Sequence, residues 1–249
     1  MLLLLAATAC GAAGSSTPAE PSGDRLSGRL TVFAAASLTG SFERLRDDFT
    51  ATHPDVEVQL NLGASSTLAR QIVSGAPADV FAAANPAIMA TVVDAGEATG
   101  PQVFARNRLQ LVVPADNPGG VRGLADLARP DLVVALCAVA VPCGEAAVRL
   151  LEGAGVTAAP DTLEQDVKAV LTKVALGEVD AGLVYRTDVL AGGKAVRGID
   201  VPQAEQVVND YPVAVTSSTG NPSVAKAFVA YLLSPRGQAV LREAGFELP

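Results

Sequence analysis

The chain has 249 residues, of which 49 % are apolar, 18 % charged and 4 % aromatic, with a formal net charge of −8 and no tryptophan. That is enough chain for one large domain or two modest ones, and it is too apolar for wholesale disorder. The acidic balance leaves no broad basic field for nucleic acid or an anionic membrane, and the scarcity of aromatic faces argues against sugars.

At the amino terminus, Met1 to Ala9 (MLLLLAATA) is less than half of the roughly 20 apolar residues that span a bilayer, so it is no membrane helix. It ends in Thr8-Ala9-Cys10-Gly11, and small residues before a cysteine resemble the lipobox of a bacterial lipoprotein signal peptide. That resemblance implies export, lipid on Cys10 and anchoring to the outer face of the cell membrane. Residues 1–10 are therefore read as signal peptide and lipobox. Residues 11–28, of which 14 are Gly, Ala, Ser, Thr or Pro, read as a flexible tether spanning roughly 20 to 25 Å.

From Arg29 onward, strand-like and helix-like runs alternate, the pattern of an α/β protein with mostly parallel sheets. Leu30 to Ala35 is the first strand. Phe42, Leu45 and Phe49 share one helical face, and that helix ends at Thr52-His53-Pro54. Val56, Val58 and Leu60 alternate as a strand, and Leu68, Ile72 and Val73 mark a helix that stops at Ser74-Gly75-Ala76-Pro77. A buried strand at Ala78 to Ala83, a helix at Pro86 to Ala95 and a strand at Leu109 to Val113 follow. The middle repeats the alternation: strand Leu132 to Ala138, helix Gly144 to Leu151, helix Asp166 to Leu176, strand Ala181 to Tyr185. Val213 to Thr216 is one more strand, and Ser223 to Gly245 reads as two helices broken at Ser234-Pro235.

Cys137 and Cys143 stand six residues apart; in an exported chain a disulfide is expected, the alternative being two unconnected buried thiols. No histidine or second cysteine pair accompanies them, which argues against zinc.

Four loops pass directly into a helix start and bring small, hydroxyl or backbone donors there: Ala34 to Leu38, Gly63 to Thr67, Pro142-Cys143-Gly144 and Glu164 to Val167. Helix starts expose unpaired N–H groups and the positive end of the macrodipole, so they attract anions without a cationic side chain. In open α/β sheets such loops gather in one crevice at the carboxyl ends of the strands. Taken singly, Ser37 and Ser66 read equally well as plain helix caps, and Tyr185 as an amphipathic strand-end tyrosine.

The segments LTVFAAASL (Leu30 to Leu38), ASSTLARQIVSGAPADVF (Ala64 to Phe81), GLVYRTD (Gly182 to Asp188) and YPVAV (Tyr211 to Val215) resemble, in order and spacing, the molybdate-binding proteins of bacterial ABC importers. The resemblance runs from about Arg29 to the carboxyl terminus. It implies a two-lobed periplasmic-binding-protein fold of type II, α/β, with mixed, mostly parallel sheets joined by crossover strands. One lobe would comprise residues 29–108 and 212–249, the other 109–211. Carried over position by position, Ser37 and Ser66 would each donate a hydroxyl and a backbone N–H to the oxyanion. Cys143 and Val167 would donate backbone N–H groups, and Tyr185 its phenol. Any metal would thus be met only through the oxygens of molybdate or tungstate, with no cofactor. At the third loop this chain has Cys143 where many members have alanine, a change that a backbone donor tolerates. The partners implied are molybdate and the membrane permease of the importer, with the protein a monomer that binds no nucleic acid.

An enzyme is the main rival class. A serine nucleophile needs a positioned base, and the only histidine, His53, sits beside no serine motif. Lys168 and Lys173 read as a solvated helix face. A sulfate or phosphate receptor is the nearer alternative, because the same helix starts suit any tetrahedral oxyanion.

Overall fold

The computed structural model describes residues 25–249. The signal peptide and lipobox expected over residues 1–10, Cys10 included, and the tether up to residue 24 lie outside the described residues. Strand pairing begins at Gly28, one residue inside the stretch expected to be tether.

Continuous apolar runs become strands covered on both faces. β1 (Gly28–Ala35) pairs in parallel with β2 (Val56–Gly63) and β3 (Val80–Ala82). Between them run α1 (Thr39–Thr52), entered through a 3₁₀ turn at Ala36–Leu38, and α2 (Ser65–Val73). α1 buries Phe42, Leu45 and Phe49 at spacings of three and four, the period that keeps one helix face on the core. α3 (Pro86–Asp94) follows β3; the Asn85 side chain caps its start by accepting from Ile88 N at 2.9 Å, and Pro86 occupies the first helical position, where no N–H is needed.

β4 (Gln102–Pro114) then leads into β5 (Val134–Cys137), α4 (Pro142–Gly153), β6 (Thr162–Glu164), α5 (Val167–Ala175), β7 (Ala181–Tyr185) and α6 (Arg186–Gly192). β8 (Val196–Ile199), β9 (Val208–Val215), α7 (Pro222–Leu233) and α8 (Pro235–Glu243) complete the chain. α7 and α8 repeat the capping device of α3, with Asn221-Pro222 and Ser234-Pro235.

The strand order is β2-β1-β3-β9-β4-β7-β5-β6, with β8 paired to β4. Parallel pairs lie toward the two ends, β1 with β2 and β3, and β5 with β6 and β7. The centre is antiparallel, because β4 and β9 run past each other from one lobe to the other. One core comprises β1, β2 and β3 with α1, α7 and α8; a second lies between β4, β5 and β7 and helices α4 and α5; a third packs α2 and α3 against β1 and β3. β4 serves the first two, giving Phe104 and Ala105 to the first and Leu109, Leu111, Val112 and Val113 to the second. Its register with β9 shifts between Val103 and Ala105, where the strand enters the first core.

β4 and β9 are both longer than the apolar pattern indicates. The Arg106-Asn107-Arg108 stretch of β4 looks like loop. It is held as strand by pairing with β9, by the Arg106 to Asp210 ion pair at 2.8 Å and by a 2.8 Å hydrogen bond from Asn107 to Thr187.

Candidate functional site

The four loops expected to gather do so. A small cleft, with a volume of about 20 Å³, is lined by Ala35, Ala36 and Ser37; by Gly63, Ala64 and Ser65; by Val141, Pro142 and Cys143; and by Asp166, Val167, Tyr185 and Ala84. This volume lies below the roughly 300 to 1,000 Å³ of drug-sized ligand pockets, so it suits a small solute. The starts of α2, α4 and α5 converge on it, each with first-turn N–H groups that have no partner within the helix. No lysine or arginine is on the lining. Positive potential therefore comes from helix ends and polar hydrogens.

Four of the five expected ligand residues, Ser37, Cys143, Val167 and Tyr185, line this cleft. Ser66 does not: at this loop the sequence reading named Ser66, whereas the serine of α2 on the lining is its neighbour Ser65. An α-helix turns about 100° per residue, so adjacent serines cannot present the same face. Ser65 is the first residue of α2, and its Oγ accepts from Ala84 N at 3.1 Å. In the run Ala64-Ser65-Ser66-Thr67 no change of residue type marks which hydroxyl faces inward.

Cys137, at the end of β5, is joined to Cys143, in the first turn of α4, with their Cα atoms 5.8 Å apart. The bond ties the loop that carries the Cys143 N–H to the sheet. Among the described residues Asp166 is the only carboxylate on the lining, and its Oδ1 accepts from Ala169 N at 3.0 Å, so it caps its own helix.

Behind the lining lies a buried polar network. Ser37 Oγ is 3.0 Å from the hydroxyl of Tyr211, and Asn209 Nδ2 donates to Tyr185 Oη at 3.0 Å and to the Ala84 carbonyl at 3.1 Å. Burial pushes the Tyr185 phenol well above its ordinary range, so it remains a neutral donor. The two lobes meet over the cleft where Asn85 Nδ2 donates to Glu145 Oε2 at 2.6 Å, which describes a closed arrangement.

Asp188, in the first turn of α6, is fully buried, accepting from Tyr185 N at 3.2 Å and pairing with Lys168 Nζ at 3.0 Å. Lys168 and Lys173 are thus not a solvated face: each is only 30 % exposed and ion-paired, Lys173 with Glu164 at 2.6 Å. Burial raises the Asp188 carboxyl from 3.8 to about 6, against the pull of Lys168. A carboxyl that holds its proton more tightly when folded contributes stability at low pH, and that contribution is lost as pH rises from about 4 through about 6. Between pH 4 and 7 the parent should therefore lose on the order of 2 to 3 kcal/mol more than Asp188→Asn. Urea unfolding of both proteins across that range checks this, and parallel profiles would contradict it.

His53, by contrast, stacks on Phe49 with ring centroids 4.3 Å apart and contacts the Phe49 carbonyl at 3.0 Å. It finishes α1 and is not on the cleft lining.

Residues 30–247 match the family model of the bacterial extracellular solute-binding proteins. The molybdate-binding protein ModA of Mycobacterium tuberculosis is 42 % identical over 241 residues, covering 96 % of this chain and 92 % of the relative. The periplasmic molybdate-binding protein of Azotobacter vinelandii shares the fold with a TM-score of 0.74 at 23 % identity, over 88 % of this chain and 99 % of that one. The sulfate-binding protein SubI of Mycobacterium tuberculosis does so with a TM-score of 0.75 at 21 % identity, over 88 % and 86 %.

Proposed function

The chain belongs to the bacterial extracellular solute-binding proteins, and from that premise we propose that it captures molybdate, or tungstate, between its lobes and delivers it to the permease of an ABC importer. The observation that carries this reading is the cleft itself, in which three helix starts, a serine turn and a neutral phenol face one small volume without a cationic side chain. The identity with a molybdate-binding relative over nearly the whole chain supports the choice of anion.

In this reading Ser37 and Ser65 donate hydroxyl and backbone N–H groups, Cys143 and Val167 donate backbone N–H groups, and Tyr185 donates its phenol. Ser65 takes the place first given to Ser66. The lobes are residues 29–108 with 212–249, and 109–211. The mature protein works as a monomer held outside the cell membrane by lipid on Cys10, and no residue plays a catalytic part.

A thermal-shift panel of oxyanions is the direct test, since a ligand at 100 times its Kd adds about 2.7 kcal/mol to stability. Calorimetry then places the site. A hydrogen bond to a charged partner contributes about 1.5 to 3 kcal/mol, so Ser37→Ala and Ser65→Ala should each weaken molybdate binding by roughly 10- to 150-fold. Backbone donors survive both changes, so binding should persist at reduced affinity. Ser66→Ala should bind like the parent. Full affinity in both the Ser37 and Ser65 variants would mean that the anion sits elsewhere.

A further inference from the structure

We propose that Asn209 and Tyr211, on the crossover strand β9, are positioning residues that aim the Tyr185 and Ser37 hydroxyl hydrogens into the cleft, so that it accepts only anions whose oxygens are free of protons. The inference rests on the oxyanion-binding reading above and deepens it. Neither residue is on the cleft lining, and both are at least 98 % buried, Asn209 at 2 % and Tyr211 at 0 % exposure.

The orientation of Asn209 follows from its partners. A carboxamide nitrogen has two hydrogens and its oxygen none. The Ala84 carbonyl can only accept, so the group facing it at 3.1 Å is the nitrogen. The same nitrogen lies 3.0 Å from Tyr185 Oη, so its second hydrogen goes to the phenol. A phenol has one hydrogen of its own. With Asn209 donating from behind, the Tyr185 hydrogen is left for the cleft that this residue lines or for the adjacent Tyr211 hydroxyl, and the lone pairs of an anion draw it to the cleft.

The price of this orientation is visible on the same side chain: Asn209 Oδ1 is buried without a hydrogen-bond partner among the described residues. Turning the amide over would give that oxygen the phenol hydrogen, but it would set two carbonyl oxygens against each other at Ala84.

Ser37 is governed in a similar way. Its Oγ and the Tyr211 hydroxyl are 3.0 Å apart, and either can donate. An anion in the cleft offers only lone pairs, so it selects the state in which Tyr211 donates to Ser37 and Ser37 donates forward. Ser37 and Tyr185 then both present hydrogens, and a protonated oxygen on the ligand finds no acceptor opposite them.

The test is calorimetry with sodium molybdate, and with phosphate by competition at pH 8, on the full chain, five single variants and two double variants. Asn209→Leu and Tyr185→Phe should each weaken molybdate about tenfold or more. The double variant should be no weaker than Tyr185→Phe alone, because both changes act through one hydrogen. Asn209→Asp should draw the phenol hydrogen backward. Its added charge opposes both dianions alike, so the molybdate-to-phosphate affinity ratio isolates the hydrogen and should fall at least about tenfold. Tyr211→Phe keeps the ring and supplies the same cycle with Ser37→Ala, even if the Asn209 variants do not fold. Additive losses in either double variant, or an unchanged ratio in a folded Asn209→Asp protein, overturn the inference. Failure of the parent to bind molybdate overturns the functional reading instead.

Discussion

Gly144→Ala is expected to lower molybdate affinity by about a hundredfold or more, the largest loss expected from a single methyl group near the cleft. A Cβ at this position would lie 1.9 Å from the Ala138 carbonyl oxygen and 2.4 Å from its carbon, whereas ordinary contact begins at 3.4 Å. Neither side has freedom to yield. Ala138 N donates to Glu164 O at 2.8 Å, Gly144 N donates to Val141 O at 3.0 Å, and the Cys137 to Cys143 bond ties the two segments together. The first turn of α4 must therefore move as a unit, carrying the Cys143 N–H away from the cleft. Overpacking of this kind typically costs 1 to 3 kcal/mol of stability, and the displaced donor costs affinity besides. Thermal unfolding separates the two effects, since a folded variant with weakened binding is the expected outcome. A folded Gly144→Ala protein with the parent's affinity would mean that the Cys143 N–H is not used.

The residues of the site differ in how legible they are, and the differences are physical. Ser37, Cys143, Val167 and Tyr185 sit where a strand or turn passes into a helix, and that boundary is written in the sequence by small residues followed by helical spacing. Ser65 against Ser66 is a question of helix phase, settled by which hydroxyl meets Ala84 N and invisible in a run of like residues. Asn209 is hidden for another reason. The stretch Val208-Asn209-Asp210-Tyr211-Pro212 carries an amide, a carboxylate and a proline, which together read as a loop. It is a strand because β4 pairs with it on one side and β3 takes up its end on the other, and such long-range pairing leaves no local signature. The polar half of β4 is hidden on the same grounds. The helices carried stronger marks. Asn85-Pro86 and Ser234-Pro235 each combine a capping side chain with a residue that needs no N–H partner, and helices begin at both.

Molybdate and tungstate should bind far more tightly than sulfate, and hydrogen phosphate should hardly bind. The proposed ligands are all donors: two hydroxyls, a phenol and backbone N–H groups at three helix starts. Hydrogen phosphate brings a proton that needs an acceptor, and the one carboxylate on the lining, Asp166, is engaged by Ala169 N. Burying that proton unmatched costs about 1 to 3 kcal/mol, and the donor opposite it loses a charged partner worth about 1.5 to 3 kcal/mol more. Sites built on fixed hydrogen bonds reject ligands that cannot complete them by as much as 10⁴- to 10⁵-fold. Sulfate carries the right charge and no proton, so only its smaller tetrahedron distinguishes it. The Cys137 to Cys143 bond and the Asn85 to Glu145 contact hold donors from the two lobes at set separations, so they cannot all close on the smaller ion together. The loss of one charged hydrogen bond would already give roughly 10- to 150-fold discrimination. The net charge of −8 does not oppose anion capture, because helix ends act at contact distance while distant surface charge is screened over about 8 Å at physiological salt. Competition calorimetry with the four anions at neutral pH decides the matter, and sulfate or phosphate binding as tightly as molybdate would make the protein a receptor for that anion instead.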